Sequence, residues 1–238
     1  MSELICKKCQ SSKYVKSGHT RGLQRYKCKE CGCQFTETKR RGIHPALKSF
    51  AIVLYAYCGV SMGKIARLYK VSTVAVLKWV RAAAIEVQPL HSVSSSDIVM
   101  IDEVWHFVNG KKNKVWIWRA IDGASRQPLG WQLGPRGDAS AQKLISRVDT
   151  GTCSFVTDEW GGFFRLLPED RHFYGKDLTF PIEGTNSDIR HRLARFHRRS
   201  KVTSRSTDMV EASLALFHHL QSPQTLDSLL SPMLSFFG

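Results

Sequence analysis

The apolar positions change period along the chain, and this change separates a helical stretch from a stretch of strands. Between residues 45 and 81, apolar residues recur every three or four positions, which is the period of an amphipathic helix. Between residues 98 and 133, short apolar runs are separated by turn residues, including Asn109-Gly110, a dipeptide typical of a β-hairpin. A polar, serine-rich stretch at residues 88–96 indicates a linker between the two.

The helical stretch predicts three short helices. Pro45 suits the first turn of a helix that ends at Gly59, and residues 61–81 contain two more helices around a tight turn. Ser72 is placed to cap the last helix. This order is typical of a helix-turn-helix, whose last helix enters the major groove of DNA, although a purely structural three-helix bundle has the same periodicity. The candidate DNA contacts on the outer face of the last helix are Thr73, Leu77, Lys78 and Arg81.

The second half of the chain alternates between the two periods. Its predicted strands cover residues 98–108, 114–121, 128–133, 153–157 and 172–174, and its predicted helices cover 138–148, 161–167, 183–197 and 207–220. Short turns join the first three strands, which are therefore expected to be antiparallel. Three antiparallel strands, a helix, a fourth strand and later helices form the order of a ribonuclease-H-like fold of the α/β class.

Composition and charge then narrow the choice of partner. The chain has 238 residues, of which 42% are apolar, and this supports a folded core. Its formal net charge is +15, and a surface this positive attracts phosphate backbones, so nucleic acid is the expected partner. No apolar run reaches the length of a membrane span, and the first residues lack the pattern of a signal peptide. We therefore expect a cytoplasmic, nucleoid-associated protein with no membrane partner.

Four cysteines have the spacing of a structural zinc ribbon. Cys6 and Cys9 form one pair, Cys28 and Cys31 form the other, and eighteen residues separate the two pairs. Each pair can point two thiolates at one ion, and the many nearby lysines and arginines favour the thiolate form. The sequence thus predicts one structural Zn²⁺. Cys33 lies close enough to compete as a ligand, but it follows Cys31 by a gap of only one residue.

Three acids occupy positions that suit the ligands of a divalent metal. Asp102 follows a run of four apolar residues, Asp158 follows the predicted strand at residues 153–157, and Glu183 opens a predicted helix. Carboxylates gathered from distant parts of a chain can hold metal ions that activate a water and stabilise the leaving group of a phosphodiester. The pattern therefore favours phosphodiester chemistry.

Other acids compete for these roles. Glu103 and Glu159 each follow a chosen aspartate by one residue, and strand alternation is expected to aim them at the opposite side. Asp122 ends a strand beside a glycine, where aspartate is ordinary turn chemistry, and a supporting role at the site is the alternative.

A basic segment follows the third acid. On a helix, Glu183, Asn186 and Arg190 are spaced i, i+3 and i+7, so they are predicted to share one face that suits a phosphate. Residues 190–205 include seven arginines or lysines and no acid, which suits contact with a DNA backbone, although a solvated basic helix has the same composition. The candidate DNA contacts in this segment are Asn186, Arg190, Arg192, Arg195, Arg198, Arg199, Lys201 and Arg205.

These motifs resemble those of DDE transposases of the insertion-sequence-1 family. The matching residues are the four ribbon cysteines and the runs Ile101-Asp102-Glu103, Val156-Thr157-Asp158 and Ile182-Glu183-Gly184-Thr185-Asn186. The resemblance covers most of the chain and implies a zinc ribbon and a helix-turn-helix ahead of a ribonuclease-H-like domain, with the three acids as its catalytic residues. Residues 221–238 match nothing in the family pattern.

The predicted organisation has four parts. They are a zinc ribbon at residues 1–38, a helix-turn-helix DNA-binding domain at 43–87, a catalytic domain at 97–220 and a tail of unknown role at 221–238.

The predicted function is that of a transposase. It would bind the ends of its mobile DNA element and catalyse metal-dependent cleavage and strand transfer, with two Mg²⁺ ions, replaceable by Mn²⁺, held by Asp102, Asp158 and Glu183. Because two ends of double-stranded DNA must be brought together, a homo-oligomer of at least two subunits is expected. The alternatives are a DNA-binding regulator or catalytically inactive remnant, and a nuclease for RNA:DNA hybrids or junctions.

Overall fold

The computed structural model describes residues 4–37, 42–87, 96–197 and 203–237. The chain divides into two compact units, Met1–His44 and Pro45–Gly238. The predicted helix-turn-helix and catalytic stretches therefore lie in the same unit.

The N-terminal unit forms a small antiparallel sheet. Within its described residues the strands are β1 (Tyr14–Thr20), β2 (Leu23–Cys28) and β3 (Gln34–Thr36), in the order β1-β2-β3. Its buried core consists of Cys6, Tyr26, Cys28 and Phe35. A core this small does not ordinarily hold a unit together without a metal ion or another cross-link.

The second unit is built on a mixed sheet. Its strands are β4 (Ile98–Phe107), β5 (Lys114–Asp122), β6 (Pro128–Gly134), β7 (Ser154–Thr157) and β8 (His172–Tyr174). In space their order is β6-β5-β4-β7-β8, with β4, β5 and β6 antiparallel and β7 and β8 parallel to β4. The predicted strands are confirmed to within one residue at each end.

The helices described in the second unit are α1 (Pro45–Ala56), α2 (Met62–Tyr69), α3 (Thr73–Glu86), α4 (Asp138–Val148), α5 (Phe163–Leu166), α6 (Lys176–Arg192), α7 (Thr207–His219) and α8 (Pro223–Phe237). The start predicted for α6, residue 183, is wrong because Pro181 lacks the N–H that a helix interior uses and so masks the helical pattern. Glu183 consequently lies in the middle of α6. No helix within the described ranges is both long and apolar enough to cross a membrane.

Both faces of the sheet are covered, and strand alternation decides which side chains meet which helices. Val99 and Ile101 of β4 pack in the cluster formed with α4 and α5, whereas Val104 packs in the cluster formed with α6 and α7. Asp102 therefore faces α6, and Glu103 faces α4.

The three N-terminal helices of this unit share a core with its C-terminal helices. Ile65 of α2 and Val80 of α3 are buried in one cluster with Met209 of α7, and Leu229 of α8 packs against it. The stretch predicted as a tail thus contains a packed helix, and α1 to α3 are joined to the rest of the unit by apolar contacts.

Candidate active site and metal centres

The candidate active site lies where β4 continues past the end of its neighbour β7. Ile101 of β4 pairs with Thr157, the last residue of β7. Asp102 is therefore the first residue of β4 with no described strand partner on that side, and Asp158 leaves β7 at the same level. Two strands thus deliver carboxylates to one edge of the sheet.

Asp102, Asp158 and Glu103 form a close acidic group. One carboxylate oxygen from each lies within 4.8 Å of the other two. Asp158 accepts a hydrogen bond from the backbone N–H of Trp160 at 3.0 Å. Among the described residues, this group and a cysteine group are the two sets of side chains that could hold a metal ion.

The position expected for Glu103, away from the other acids, is wrong. Alternation does turn its side chain toward α4, where Arg136 forms an ion pair with it at 2.6 Å. Because β7 has ended, however, no strand fills the space beside Glu103, and its carboxylate still approaches Asp102 and Asp158. Its second oxygen, Oε2, is buried and has no hydrogen-bond partner among the described residues.

Asp102 is held at both carboxylate oxygens. Its Oδ1 accepts a hydrogen bond from the backbone N–H of Glu103 at 2.8 Å, and its Oδ2 accepts one from Nδ2 of Asn186 at 2.7 Å. Burial raises the pKa of Asp102, and the charges of Asp158 and Glu183 raise it further. Burial also raises the pKa of Glu103. A divalent cation at this position would relieve both effects.

Glu183 reaches the site from α6. Its side chain is exposed and accepts a hydrogen bond from the Thr179 hydroxyl at 3.2 Å. It is outside the close acidic group, but it is near enough for its charge to act on Asp102. The sequence-predicted triad is therefore gathered in one region, with two members adjacent and the third on the facing helix.

Asn186 differs from its predicted place on the DNA-facing side of α6. It is 2% exposed, because Ile182, Asn186 and Ile189 form the buried face of the helix. Its amide contacts Asp102 and the guanidinium of Arg119, a buried residue of β5. Arg119 was missed by sequence reasoning, although an arginine inside an apolar strand is a visible signal.

The basic segment after Glu183 is divided between solvent and interior. Arg192 and Arg205 are exposed, and Arg192 lies 3.8 Å from Asp188. Arg190 is half-buried. Arg195 differs from the predicted DNA contact, because its guanidinium donates hydrogen bonds to three hydroxyls of the protein interior, those of Tyr55, Ser204 and Ser213. Arg198, Arg199 and Lys201 lie outside the described residues.

The predicted recognition helix, α3, begins at its predicted cap. The Ser72 hydroxyl accepts a hydrogen bond from the backbone N–H of Ala75. Thr73 and Lys78 are exposed, whereas Leu77 is half-buried against the apolar cluster. Arg81 is exposed and its Nε donates to the sulfur of Met209 at 3.4 Å.

The cysteine group lies in the N-terminal unit. The sulfur atoms of four cysteines, Cys6, Cys9, Cys28 and Cys31, all lie within 4.8 Å of one another. The Cys9 and Cys28 sulfurs are 3.5 Å apart, and the Cys6 and Cys31 sulfurs are 3.6 Å apart. Tetrahedral Zn²⁺ with bonds of about 2.3 Å to sulfur requires sulfur separations of roughly 3.8 Å, so the four residues fit this ion. The backbone N–H groups of Cys9 and Lys8 lower the pKa of Cys6 to about 6, which favours its thiolate, whereas hydrogen bonds with the other sulfurs and burial raise the pKa of Cys9 to about 12.

Comparison with known proteins identifies relatives of the second unit. A family model described as IS1 transposase matches residues 97–222, more than half of the chain. The insertion element iso-IS1n protein InsB of Shigella dysenteriae is 32% identical over 121 residues, which are 50% of this chain and 92% of that protein. The insertion element IS1 protein InsB of Shigella flexneri is 29% identical over 110 residues, or 46% of this chain and 84% of that protein.

Among solved structures, the catalytic core domain of BIV integrase matches 60% of this chain and 99% of its own, at 16% identity and a TM-score of 0.38. That score is too low to support a conclusion about this chain. The family model and the relative from Shigella dysenteriae are sufficient without it. The chain belongs to the IS1 transposase family.

Proposed function

We propose that this transposase binds the ends of its own mobile DNA element, cuts there by metal-dependent hydrolysis and joins the freed ends to target DNA. The observation that carries the proposal is the meeting of Asp102 and Asp158 at the end of β7, with Glu183 facing them from α6. Family membership supports the same reaction class.

The acidic group fits divalent metal ions. Hard cations such as Mg²⁺ and Mn²⁺ prefer carboxylate oxygens, and Oε2 of Glu103 is buried and accepts no hydrogen bond among the described residues. Asp102, Asp158 and Glu183 would hold the ions. When bound, such ions lower the pKa of an attacking water and stabilise charge on a leaving oxygen.

The chain's own groups fix the geometry of the acids. Asn186 and the Glu103 backbone hold the Asp102 carboxylate from two sides, and the Trp160 backbone holds Asp158. The acids are therefore oriented before substrate arrives, which is how a site avoids reorganisation during the reaction.

The reaction has two displacements at phosphorus. Water first attacks the phosphodiester at the element end, the bond between phosphorus and the 3′ oxygen breaks, and a 3′ hydroxyl is released. That hydroxyl then attacks a phosphodiester of the target. A new bond forms between the element's 3′ oxygen and the target phosphorus, and the 3′ oxygen of the target strand leaves as a hydroxyl. No covalent protein intermediate is needed in either step.

Double-stranded DNA is the proposed partner. The net charge of +15 favours a polyanion, and exposed Arg192 and Arg205 flank α6 and α7 where they can contact a backbone. Thr73 and Lys78 on α3 are proposed to contact the element ends, and the four cysteines are proposed to hold one structural Zn²⁺. Joining two ends requires a homo-oligomer of at least two subunits.

The test is cleavage and strand transfer on a labelled duplex made from the DNA that flanks the gene. Asp102→Asn, Asp158→Asn and Glu183→Gln keep the side-chain shape and remove the charge, so all three should reduce both reactions to background in Mg²⁺ and in Mn²⁺ while DNA binding persists. Asp149→Asn is the matched control, because Asp149 pairs with Arg171 before the start of β7, away from Asp158. It should retain activity.

Wild-type cutting by any of the three variants would remove that residue from the site. Specific binding without any cutting by the wild-type protein would favour a DNA-binding regulator instead.

A further inference from the structure

A buried arginine lies beside the acidic site. Arg119 of β5 pairs in register with Asp102 of β4, and both side chains face α6. Arg119 is 2% exposed, and its burial lowers its pKa to about 10. A buried guanidinium is costly unless its N–H groups are used, whereas a methionine or leucine would fill the position without that cost.

Arg119 reaches the acids through one side chain of α6. Its Nη1 donates a hydrogen bond to Oδ1 of Asn186 and another, at 3.2 Å, to the Thr185 hydroxyl. This contact decides how the amide of Asn186 is turned, because in the reverse orientation the amide NH₂ and the guanidinium would meet donor to donor. With Oδ1 fixed on Arg119, the amide nitrogen must face Asp102.

These hydrogen bonds orient the Asp102 carboxylate and so fix the direction of its free lone pairs. Each of its oxygens accepts one hydrogen bond, Oδ1 from the Glu103 backbone and Oδ2 from Asn186, and each retains a second lone pair. Partners that orient a metal-binding carboxylate in this way typically contribute about 10–100-fold to metal affinity or activity.

We propose that Arg119 is a positioning residue that acts through Asn186 to direct the free lone pairs of Asp102 toward divalent metal ions. The inference rests on the proposed metal site. It accounts for a charge in the middle of an apolar strand, opposite one of the proposed metal ligands.

Calorimetric titration of the full-length protein with Mn²⁺, without DNA, tests this role. We expect Arg119→Met and Asn186→Ala to weaken Mn²⁺ binding about 10–100-fold. Arg119→Lys should weaken it less, because an ammonium can still donate to Oδ1 of Asn186. Asn186→Ala tests the same path with no change in buried charge. Arg171→Met is the matched control, since Arg171 pairs with Asp149 away from the acids, and it should not change the affinity.

The same titration on an Asp102→Asn background distinguishes failure of the positioning role of Arg119 from failure of the proposed metal site. There, Arg119→Met should cause no further loss, because the carboxylate that it orients is gone. If Asp102→Asn weakens Mn²⁺ binding but Arg119→Met and Asn186→Ala leave it at the wild-type level, the positioning role is wrong and the metal site stands. If Asp102→Asn itself leaves Mn²⁺ binding unchanged, the proposed metal site is wrong.

Discussion

The chain contains two groups of potential metal ligands, and they differ in how the fold supports them. In the N-terminal unit, two of the four cysteines are themselves part of the small buried core. In the second unit, the acids lie at the edge of a sheet whose two faces are covered by separate apolar clusters. The cysteines are therefore part of the core of their unit, whereas the acids lie outside the core of theirs.

The chemistry of the ligands also separates a structural site from a site that is open to substrate. Four thiolates arranged around one point form a closed site that suits a structural ion. Asp102 and Asp158 are partly exposed, and protein groups hold the acids, Asn186 for Asp102 and Arg136 for Glu103. Such a site can remain folded without metal and keep positions open for substrate. Removal of metal should therefore unfold the N-terminal unit and leave the second unit folded.

Zinc removal gives the largest expected effect. A strong chelator should unfold residues 4–37, because structural zinc contributes about 10–16 kcal/mol of binding free energy in small units of this kind. Hydrogen exchange should then show loss of protection in β2 and retained protection in β4 and β5. Cys31→Ser should have the same effect as the chelator.

Cys33→Ser is the control for that experiment, since Cys33 is outside the sulfur group. Retained protection in β2 after confirmed loss of zinc would show that the two units do not differ in this way.

Removing Arg136 gives an intermediate effect. The variant Arg136→Met takes away the partner of Glu103, whose side chain is 5% exposed, and leaves a buried carboxylate unpaired. We expect a loss of about 1–3 kcal/mol in the free energy of unfolding without metal, discounted because Arg136 itself is partly exposed. Mg²⁺ should restore part of that loss, which denaturant unfolding with and without Mg²⁺ can measure. If Mg²⁺ restores none of the lost stability, bound metal does not stabilise the Glu103 carboxylate.

The smallest expected effect is in the pH dependence of the metal-free protein. Burial raises the pKa of Asp102 above 3.8, so its contribution to stability is fully present below pH 3.8 and is lost as the pH rises through the folded-state value. The stability of Asp102→Asn relative to wild type should therefore increase as the pH rises above 3.8. Urea unfolding at a series of pH values measures this difference.

Asp149 provides the opposite sign in the same measurement. Its hydrogen bond with Arg171 lowers the pKa of Asp149, so this contribution is present above the ordinary pKa of 3.8 and is lost as the pH falls. Asp149→Asn should become less stable relative to wild type as the pH rises. If the stability of both variants relative to wild type changes with pH in the same direction, the raised pKa of Asp102 and the lowered pKa of Asp149 are contradicted.

Sequence alone predicted what depends on local pattern. The cysteine group, the strand bounds and the placement of Asp158 at the end of a strand follow from periodicity and turn residues. Asp102 follows the apolar run of its strand but lies in the middle of β4. The face of each strand residue also follows from alternation, which correctly turns Glu103 toward α4.

The remaining contacts depend on register and on where a neighbouring strand stops. Arg119 lies opposite Asp102 only because of the pairing between β4 and β5, and Glu103 joins the acids only because β7 ends at Thr157. The burial of Asn186 depends on the rotation of α6, which places it in line with buried Ile182. None of these quantities is encoded in local spacing.

The most direct test of the central claim is the location of Mn²⁺ in crystals of the protein bound to element-end DNA, by anomalous scattering. The account predicts Mn²⁺ in contact with Asp102, with Asp158 and Glu183 completing the coordination and distances of roughly 2.0–2.3 Å to the carboxylate oxygens. Well-ordered Mn²⁺ bound elsewhere, with no peak at Asp102 in a complex that holds the DNA end, would contradict it.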